Sequence, residues 1–397
     1  NTWILPDGSY TYSAALFGYV SKENVPFQVN GANLEIQDTL TAADKIAVTF
    51  HVTGAAADTA ITITVWNSEK TVMTAREANP TVYDLPAGSY TYTVEAKGYK
   101  KIKNQLLTVG AAAQTVNVAL TASDAWEGDS VVPTKVGDVY QITSGAELKG
   151  FADLVNGEEP GAKGILTKNI TLNEPGDYAQ KWTPMGASSS AAFTGDFDGN
   201  GKTISGLNPV GELISGKYRG AGLFGYVYTG GTVKNVTVEG AMKAEWNCGG
   251  VVAYLAGGRV ENCVNRMNIT PRSESIYLYY VGGVVGYMTN YTDNSAVIIG
   301  CRNEGSIDGG TTGENVGGVV GGASNSPGIS NCANTGNISG KASIGGIAAT
   351  ASIPITACYN TGKITGASSK IGGIVGYSSS KVTNCYNTGA VAGAGKA

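Results

Sequence analysis

From about residue 220 onward, apolar side chains fall in short runs of Val and Ile, cut at nearly even intervals by glycine, asparagine, serine and threonine. One phrase is written six times: Gly222-Leu-Phe-Gly-Tyr226, Gly249-Gly-Val-Val-Ala-Tyr254, Gly282-Gly-Val-Val-Gly-Tyr287, Gly317-Gly-Val-Val-Gly321, Gly345-Gly-Ile-Ala-Ala349 and Gly372-Gly-Ile-Val-Gly-Tyr377. Its second glycine (Gly222, Gly250, Gly283, Gly318, Gly346, Gly373) recurs after 28, 33, 35, 28 and 27 residues. A period this short predicts stacked units. A second phrase is interleaved: Cys263-Val-Asn265, Cys301-Arg-Asn-Glu-Gly305, Cys332-Ala-Asn-Thr-Gly336, Cys358-Tyr-Asn-Thr-Gly362 and Cys385-Tyr-Asn-Thr-Gly389. Each unit therefore holds three apolar runs, such as Ile371 to Tyr377, Lys381 to Tyr386 and Ala390 to Val391. Runs of β-branched residues bounded by glycine and asparagine predict three strands and three corners per unit, with no room for helices.

Coiling such units so that each strand pairs with its counterpart one unit later makes a right-handed parallel β-helix. Its coils lie about 4.8 Å apart, and equivalent residues stack into ladders. Thiols behave as small hydrophobes, so Cys263, Cys301, Cys332, Cys358 and Cys385 are expected as an interior rung. Cys248 stands where other copies have Val281, Val316, Ile344 and Ile371. Asn265, Asn303, Asn334, Asn360 and Asn387 are expected to stack their amides and satisfy corner peptide groups.

The first 124 residues carry a longer repeat, offset by 80: Leu5-Pro-Asp-Gly-Ser-Tyr-Thr-Tyr12 returns as Leu85-Pro-Ala-Gly-Ser-Tyr-Thr-Tyr92, and Gly18-Tyr19 as Gly98-Tyr99. Ile46 to Val52, Ala60 to Trp66, Thr81 to Leu85, Ser89 to Ala96 and Gln114 to Leu120 alternate apolar and polar residues, the pattern of a small antiparallel β-sandwich. The expected division is 1–43, the second half of a module; 44–123, a complete module; 124–138, a linker; and 139–397, the β-helix. Ser144-Gly-Ala-Glu147 has capping-box spacing, and Leu148, Phe151, Ala152 and Val155 share one face. A helix over about 144–156 is therefore expected to cover the open end of the first coil.

The Gly-Gly-Val-Val-Gly and Cys-x-Asn-x-Gly phrases resemble the GLUG motif repeats of bacterial surface proteins, found in adhesins and beside immunoglobulin A peptidase domains. Trp182-Thr-Pro-Met-Gly186 and the stretch from Phe193 to Leu207 resemble the opening coils of the same group. The Leu-Pro-x-Gly-Ser-Tyr-Thr-Tyr phrase resembles carboxypeptidase-regulatory-like and PEGA-type modules, small Ig-like or prealbumin-like sandwiches that act as spacers. The resemblance implies an all-β extracellular chain whose anchor lies outside these residues. It is specific as to fold and open as to activity.

Composition changes this picture little. Charged residues are 15% of the 397, and the formal net charge is −4, so no electrostatic ground exists for nucleic acid or an anionic membrane as partner. No apolar run approaches the ~20 residues of a membrane helix. Six cysteines in an extracellular chain suggest disulfides, yet stacking at about 4.8 Å exceeds the usual bridge geometry, so free buried thiols are expected. His51 is the sole histidine, which excludes histidine clusters for zinc.

Asp196-Phe-Asp-Gly-Asn-Gly201 is the one metal-like string, with Asp198 and Asn200 as further donors. Leu207 stands where a calcium loop needs its twelfth-position acid, so a corner bonding its own backbone is the expected reading, with no metal or cofactor. Asn315 to Ala397 contains no Asp or Glu, which removes an acid pair from the last coils. Tyr226, Tyr254, Tyr287 and Tyr377 share one repeat position, and Ile276-Tyr-Leu-Tyr-Tyr280, Tyr291 and Trp246 add rings in the middle coils. Facing outward, they would form a stripe for sugar rings or a protein partner; facing inward, they would be core. The expected function is a monomeric, non-catalytic surface segment, an adhesin or stalk contacting host glycan or extracellular protein. A carbohydrate-active enzyme or an accessory region of a larger peptidase is the alternative.

Overall fold

The computed structural model describes residues 2–214, 217–272, 278–290 and 295–393. It divides into two compact units, Asn1–Asp124 and Ala125–Ala397.

In the first unit, two four-stranded sheets enclose Val48, Phe50, Val65, Leu85, Tyr90 and Val94, all buried. Lys45–Thr53 pairs antiparallel with Asn79–Pro86, and Ile61–Asn67 pairs antiparallel with Gly88–Ala96. Gln114–Ala119, expected in an antiparallel sheet, runs parallel to Lys45–Thr53, so that sheet is mixed. The 80-residue repeat is a repeat of geometry. Gly8–Ala14 and Lys22–Val29 form the same hairpin as Gly88–Ala96 and Ile102–Val109. Tyr10 donates its hydroxyl to the Pro6 carbonyl at 3.0 Å as Tyr90 does to Pro86 at 2.8 Å, and Asn24 and Asn104 take the same left-handed bulge at φ 54° and 50°.

The second unit is a parallel β-helix. Its ladders run coil to coil in one register, for example Cys248, Val281, Val316, Ile344 and Ile371 in successive strands. From Trp246 onward each coil carries five short strands where three were expected: Ile371–Gly372, Val375–Ser378, Val382–Thr383, Tyr386–Asn387 and Val391–Gly393 make the last described one. The physical reason is that two of the apolar runs bend inside themselves. One turns at the glycine pair. The other turns at the residue before the rung cysteine, where Asn262, Asn331, Ala357 and Asn384 sit at φ 51° to 55° and Gly300 at 67°. Asparagine and glycine enter the left-handed region at little cost, which is why they occupy most of these corners.

Gly145–Asn156 is a helix. Ser144 accepts from the Glu147 amide at 3.2 Å, and Glu147 reaches back to the Thr143 amide at 2.7 Å. Leu148, Phe151, Ala152 and Val155 are buried in the same core as the coils, and Phe151 lies against Phe197 at 6.0 Å. Of residues 124–138, expected as a linker, Trp126 and Thr134–Val136 pack on the β-helix instead. Trp126 is 7% exposed, donates its amide to Thr171 at 2.8 Å and meets Trp182 edge-on at 6.1 Å, while Thr134–Val136 pairs with Val139–Ile142. A buried tryptophan and a paired strand are incompatible with a free connection.

Candidate ligand-binding wall

The two repeated phrases meet inside the coil. Asn265, Asn303, Asn334 and Asn360 are fully buried, and each donates Nδ2 to Oδ1 of the asparagine one coil on, at 2.6–2.7 Å, ending on Asn387. The same nitrogens of Asn303, Asn334, Asn360 and Asn387 also donate to the carbonyl of the glycine two residues later, at 2.8–2.9 Å. Each amide lies on the second glycine of a repeat phrase. A Cβ on Gly250, Gly283, Gly318, Gly346 or Gly373 would fall 2.2–2.6 Å from an atom of the facing asparagine amide. That contact was missed from sequence, although the near-constant offset between the two phrases carries it.

The rung thiols Cys263, Cys301, Cys332 and Cys358 are buried and unbridged, and Cys385 is half-buried. Each donates its thiol to the carbonyl two residues back, at 3.2–3.4 Å. Burial pushes the Cys248 thiol up to about 11 and raises Cys301 as well, so both stay protonated and unreactive at neutral pH.

Asp196 and Asp198 turn to protein partners. Lys234 donates to Asp196 at 3.1 Å, while Asp198 accepts from the Asn200 amide at 2.7 Å and from Asn235 Nδ2 at 3.0 Å. Asn200 sits at φ 50° and donates Nδ2 to the Leu166 carbonyl. This is a glycine-rich corner with an ammonium where a cation would bind, and among the described residues no cluster of metal-ligating side chains occurs.

The tyrosines face outward. In Phe224–Tyr228 the neighbours Phe224 and Val227 are fully buried, whereas Tyr226 and Tyr228 are half-buried. Tyr226, Tyr254 and Tyr287 are register partners, their rings 5.6 and 5.5 Å apart and inclined by 39°. At that spacing each ring shields part of its neighbour's face. The next residue in register is Gly322, where a Cβ would lie 2.4 Å from the Tyr280 ring. Tyr280 thus continues the row, 4.5 Å from Tyr287. It does so at φ 55°, in a corner where the neighbouring copies have Asn247 and Asn315, and a bulky residue there is strained.

A second row runs beside the first. Arg219, Trp246, Tyr279 and Glu314 are register partners, with the Arg219 guanidinium 4.5 Å from the Trp246 ring and Trp246 5.5 Å from Tyr279. Tyr280, 4.2 Å from Tyr279, joins the rows. Tyr287 shares a hydrogen bond with Ser324 at 3.0 Å, and Ser324 donates to Thr289 at 3.1 Å. Burial, with the Glu212 carboxylate second, raises the Tyr226 phenol, and burial together with the Tyr279 hydroxyl raises Tyr280. Both remain neutral donors. Tyr291 lies outside the described residues. Tyr279 and Tyr280 belong to the aromatic stretch expected in the middle coils, whereas Arg219 and Tyr228 join the patch only through register, which the one-dimensional repeat does not reveal.

Comparison with known proteins gives three findings. The GLUG motif matches residues 367–392. Halomucin of Haloquadratum walsbyi is 24% identical over 266 residues, which is 62% of this chain and 3% of halomucin, so the chain spans a small part of that relative's length. A Bacteroides ovatus protein provisionally assigned as an immunoglobulin A1 protease superposes with a TM-score of 0.48 at 18% identity, covering 64% of this chain and 76% of that one.

Proposed function

We propose that this GLUG-motif repeat chain is a non-catalytic segment of an extracellular surface protein, in which the outer wall of the β-helix binds a glycan or protein through its aromatic rows. The supporting observation is the patch itself. Tyr226, Tyr254, Tyr287 and Tyr280 line one row and Arg219, Trp246 and Tyr279 the next. Tyrosine, tryptophan and arginine are the residues that dominate binding hot spots, because they offer large contact area with a polar tip. In the following coils the same registers carry Ala342 and Thr350, and a ring returns only at Tyr377. The scaffold beneath suits a surface role: the buried asparagine amides are consumed by their own ladder, and the Cys248 and Cys301 thiols are protonated. The likeness to halomucin supports an extracellular setting. Among the described residues, no helix is long and apolar enough to cross a membrane.

The test is an array of glycans and extracellular-matrix proteins, probed with the intact chain and with a Tyr254→Ala, Tyr287→Ala variant. Binding by the intact chain that disappears in the variant supports the reading. Binding that is the same in both overturns it.

A further inference from the structure

Resting on that reading, we propose that the occupant of the wall is a neutral, extended polysaccharide of equatorially linked pyranose units, lying parallel to the β-helix axis with about one sugar per coil along Tyr226, Tyr254 and Tyr287.

The first ground is spacing. The rings repeat at 5.6 and 5.5 Å because each belongs to the next coil in register. An extended pyranose chain of this linkage advances per residue by a distance comparable to the strand spacing of about 4.8 Å. A rigid row that offers the same phenol edge at each coil is matched by a polymer offering the same hydroxyls at each sugar. A protein surface that is not itself built of stacked strands has no such period.

The second ground is chemistry. The rings shield part of one another's faces, so the proposed contact is made by ring edges and hydroxyls. The Tyr287 and Ser324 hydroxyls share a hydrogen bond at 3.0 Å, and Ser324 is anchored on buried Thr289 at 3.1 Å, which holds a donor and acceptor pair suited to sugar hydroxyls. Trp246, Tyr279 and Tyr280 form a second row beside the first, and Tyr280 closes its far end over Gly322. At the near end Glu212 and Arg219 are cross-strand partners, so opposite charges face each other there. That balance favours a neutral chain over a polyanion.

The experiment uses the full chain and calorimetric titration with β-linked gluco-, manno- and xylo-oligosaccharides, from the monosaccharide to the hexasaccharide, alongside a uronic-acid series. Affinity is expected to climb with each added neutral sugar and to level off once the ligand spans Tyr226, Tyr254 and Tyr287. Tyr254→Phe keeps the ring stack and removes one hydroxyl, and is expected to weaken binding about two- to tenfold. Tyr377→Ala, beyond Gly322 and Thr350 in the same register, is expected to leave affinity unchanged. Affinity independent of length, binding of the uronic-acid series alone, or a Tyr254→Phe protein that binds as the parent does would each overturn the proposal. Should no oligosaccharide bind while a protein partner is lost in the Tyr254→Ala, Tyr287→Ala variant, the polysaccharide falls and the binding wall stands.

Discussion

Replacing Asn334 by alanine tests what holds the coils together. The side chain is fully buried and makes three hydrogen bonds: Nδ2 to the Gly336 carbonyl at 2.8 Å, Nδ2 to Asn360 Oδ1 at 2.6 Å, and Oδ1 from Asn303 Nδ2 at 2.7 Å. At about 1 kcal/mol net for each, the bonds contribute about 3 kcal/mol. Asn303 keeps Gly305 as acceptor and Asn360 keeps the Gly362 amide as donor, so the Gly336 carbonyl bears most of the loss. Stranding one buried acceptor brings the expected cost to about 3–5 kcal/mol, a large share of the roughly 5–15 kcal/mol typical of a domain. Contacts in a solenoid run only between neighbouring coils, so the loss is expected to be local. Amide hydrogen exchange should accelerate from Cys301 to Gly362 and stay slow around Phe197 and Phe224. Asn334→Leu restores most of the volume and none of the bonds, so it should cost at least as much as alanine. Asn334→Asp adds a pH signature. A buried carboxylate facing two carbonyl oxygens has its folded pKa raised above the unfolded value of about 3.9. Its deficit relative to the parent should be smallest below about pH 3.9 and grow as pH rises from there. Urea denaturation of the three variants is the assay. A loss under about 1 kcal/mol for Asn334→Ala, or full recovery with leucine, would refute the ladder as a source of stability.

Two further outcomes follow from named contacts. Gly373→Ala places a methyl 2.4–2.7 Å from three atoms of Asn387 and should cost about 1–3 kcal/mol; Asn387→Gly should recover most of it, whereas Asn360→Gly should not rescue Gly346→Ala, because the Gly373 carbonyl lies 2.1 Å from that position. Thermal unfolding of the two double-variant cycles checks this, and equal rescue in both would contradict the geometry. In the first unit, the Lys22 ammonium and then the Tyr12 hydroxyl lower the Asp38 carboxyl to about 2. What the pair contributes is present above the unfolded carboxylate pKa and lost as pH falls through about 2, so carboxyl NMR should find a midpoint near 2 that moves up toward the model-peptide value in Lys22→Ala.

Much of the fold was legible because stacking converts a one-dimensional period into a three-dimensional register. The glycine-pair phrase, the cysteine rung and the 80-residue offset are each visible as spacing, and the helix face at Leu148, Phe151 and Val155 as a 3.6 period. What escaped the reading depends on bends. Ile371 to Tyr377 looks like one strand, and only the corner at Gly373, pressed on Asn387, splits it. Trp126 lies in a stretch without periodicity, and its burial follows from the β-helix core it caps. The bend expected at the glycine pair breaks period-2 counting, so the sequence leaves the facing of the tyrosines open. Val227, Leu255 and Met288, all at 0% exposure, settle it as their inward neighbours.

The same register that explains stability confines where function can vary. An interior position answers to the coils above and below: Asn334 must match Asn303, Asn360 and Gly318 together, so a change at any one is felt by the others. An outward position answers only to its neighbours on the wall. The Trp246 register runs through Tyr279, Glu314 and Ala342 without disturbing the Cys248 to Ile344 register two residues further on in each strand. Side chains can therefore be exchanged along the outer face while the amide ladder stays fixed, and the strained corner at Tyr280 marks where that freedom was used. Its neighbours take the left-handed turn with asparagine, Asn247 and Asn315, at little cost. A tyrosine at the same dihedral sacrifices of order 1–3 kcal/mol of backbone energy, and what it supplies in return is a ring over Gly322 that joins the two aromatic rows.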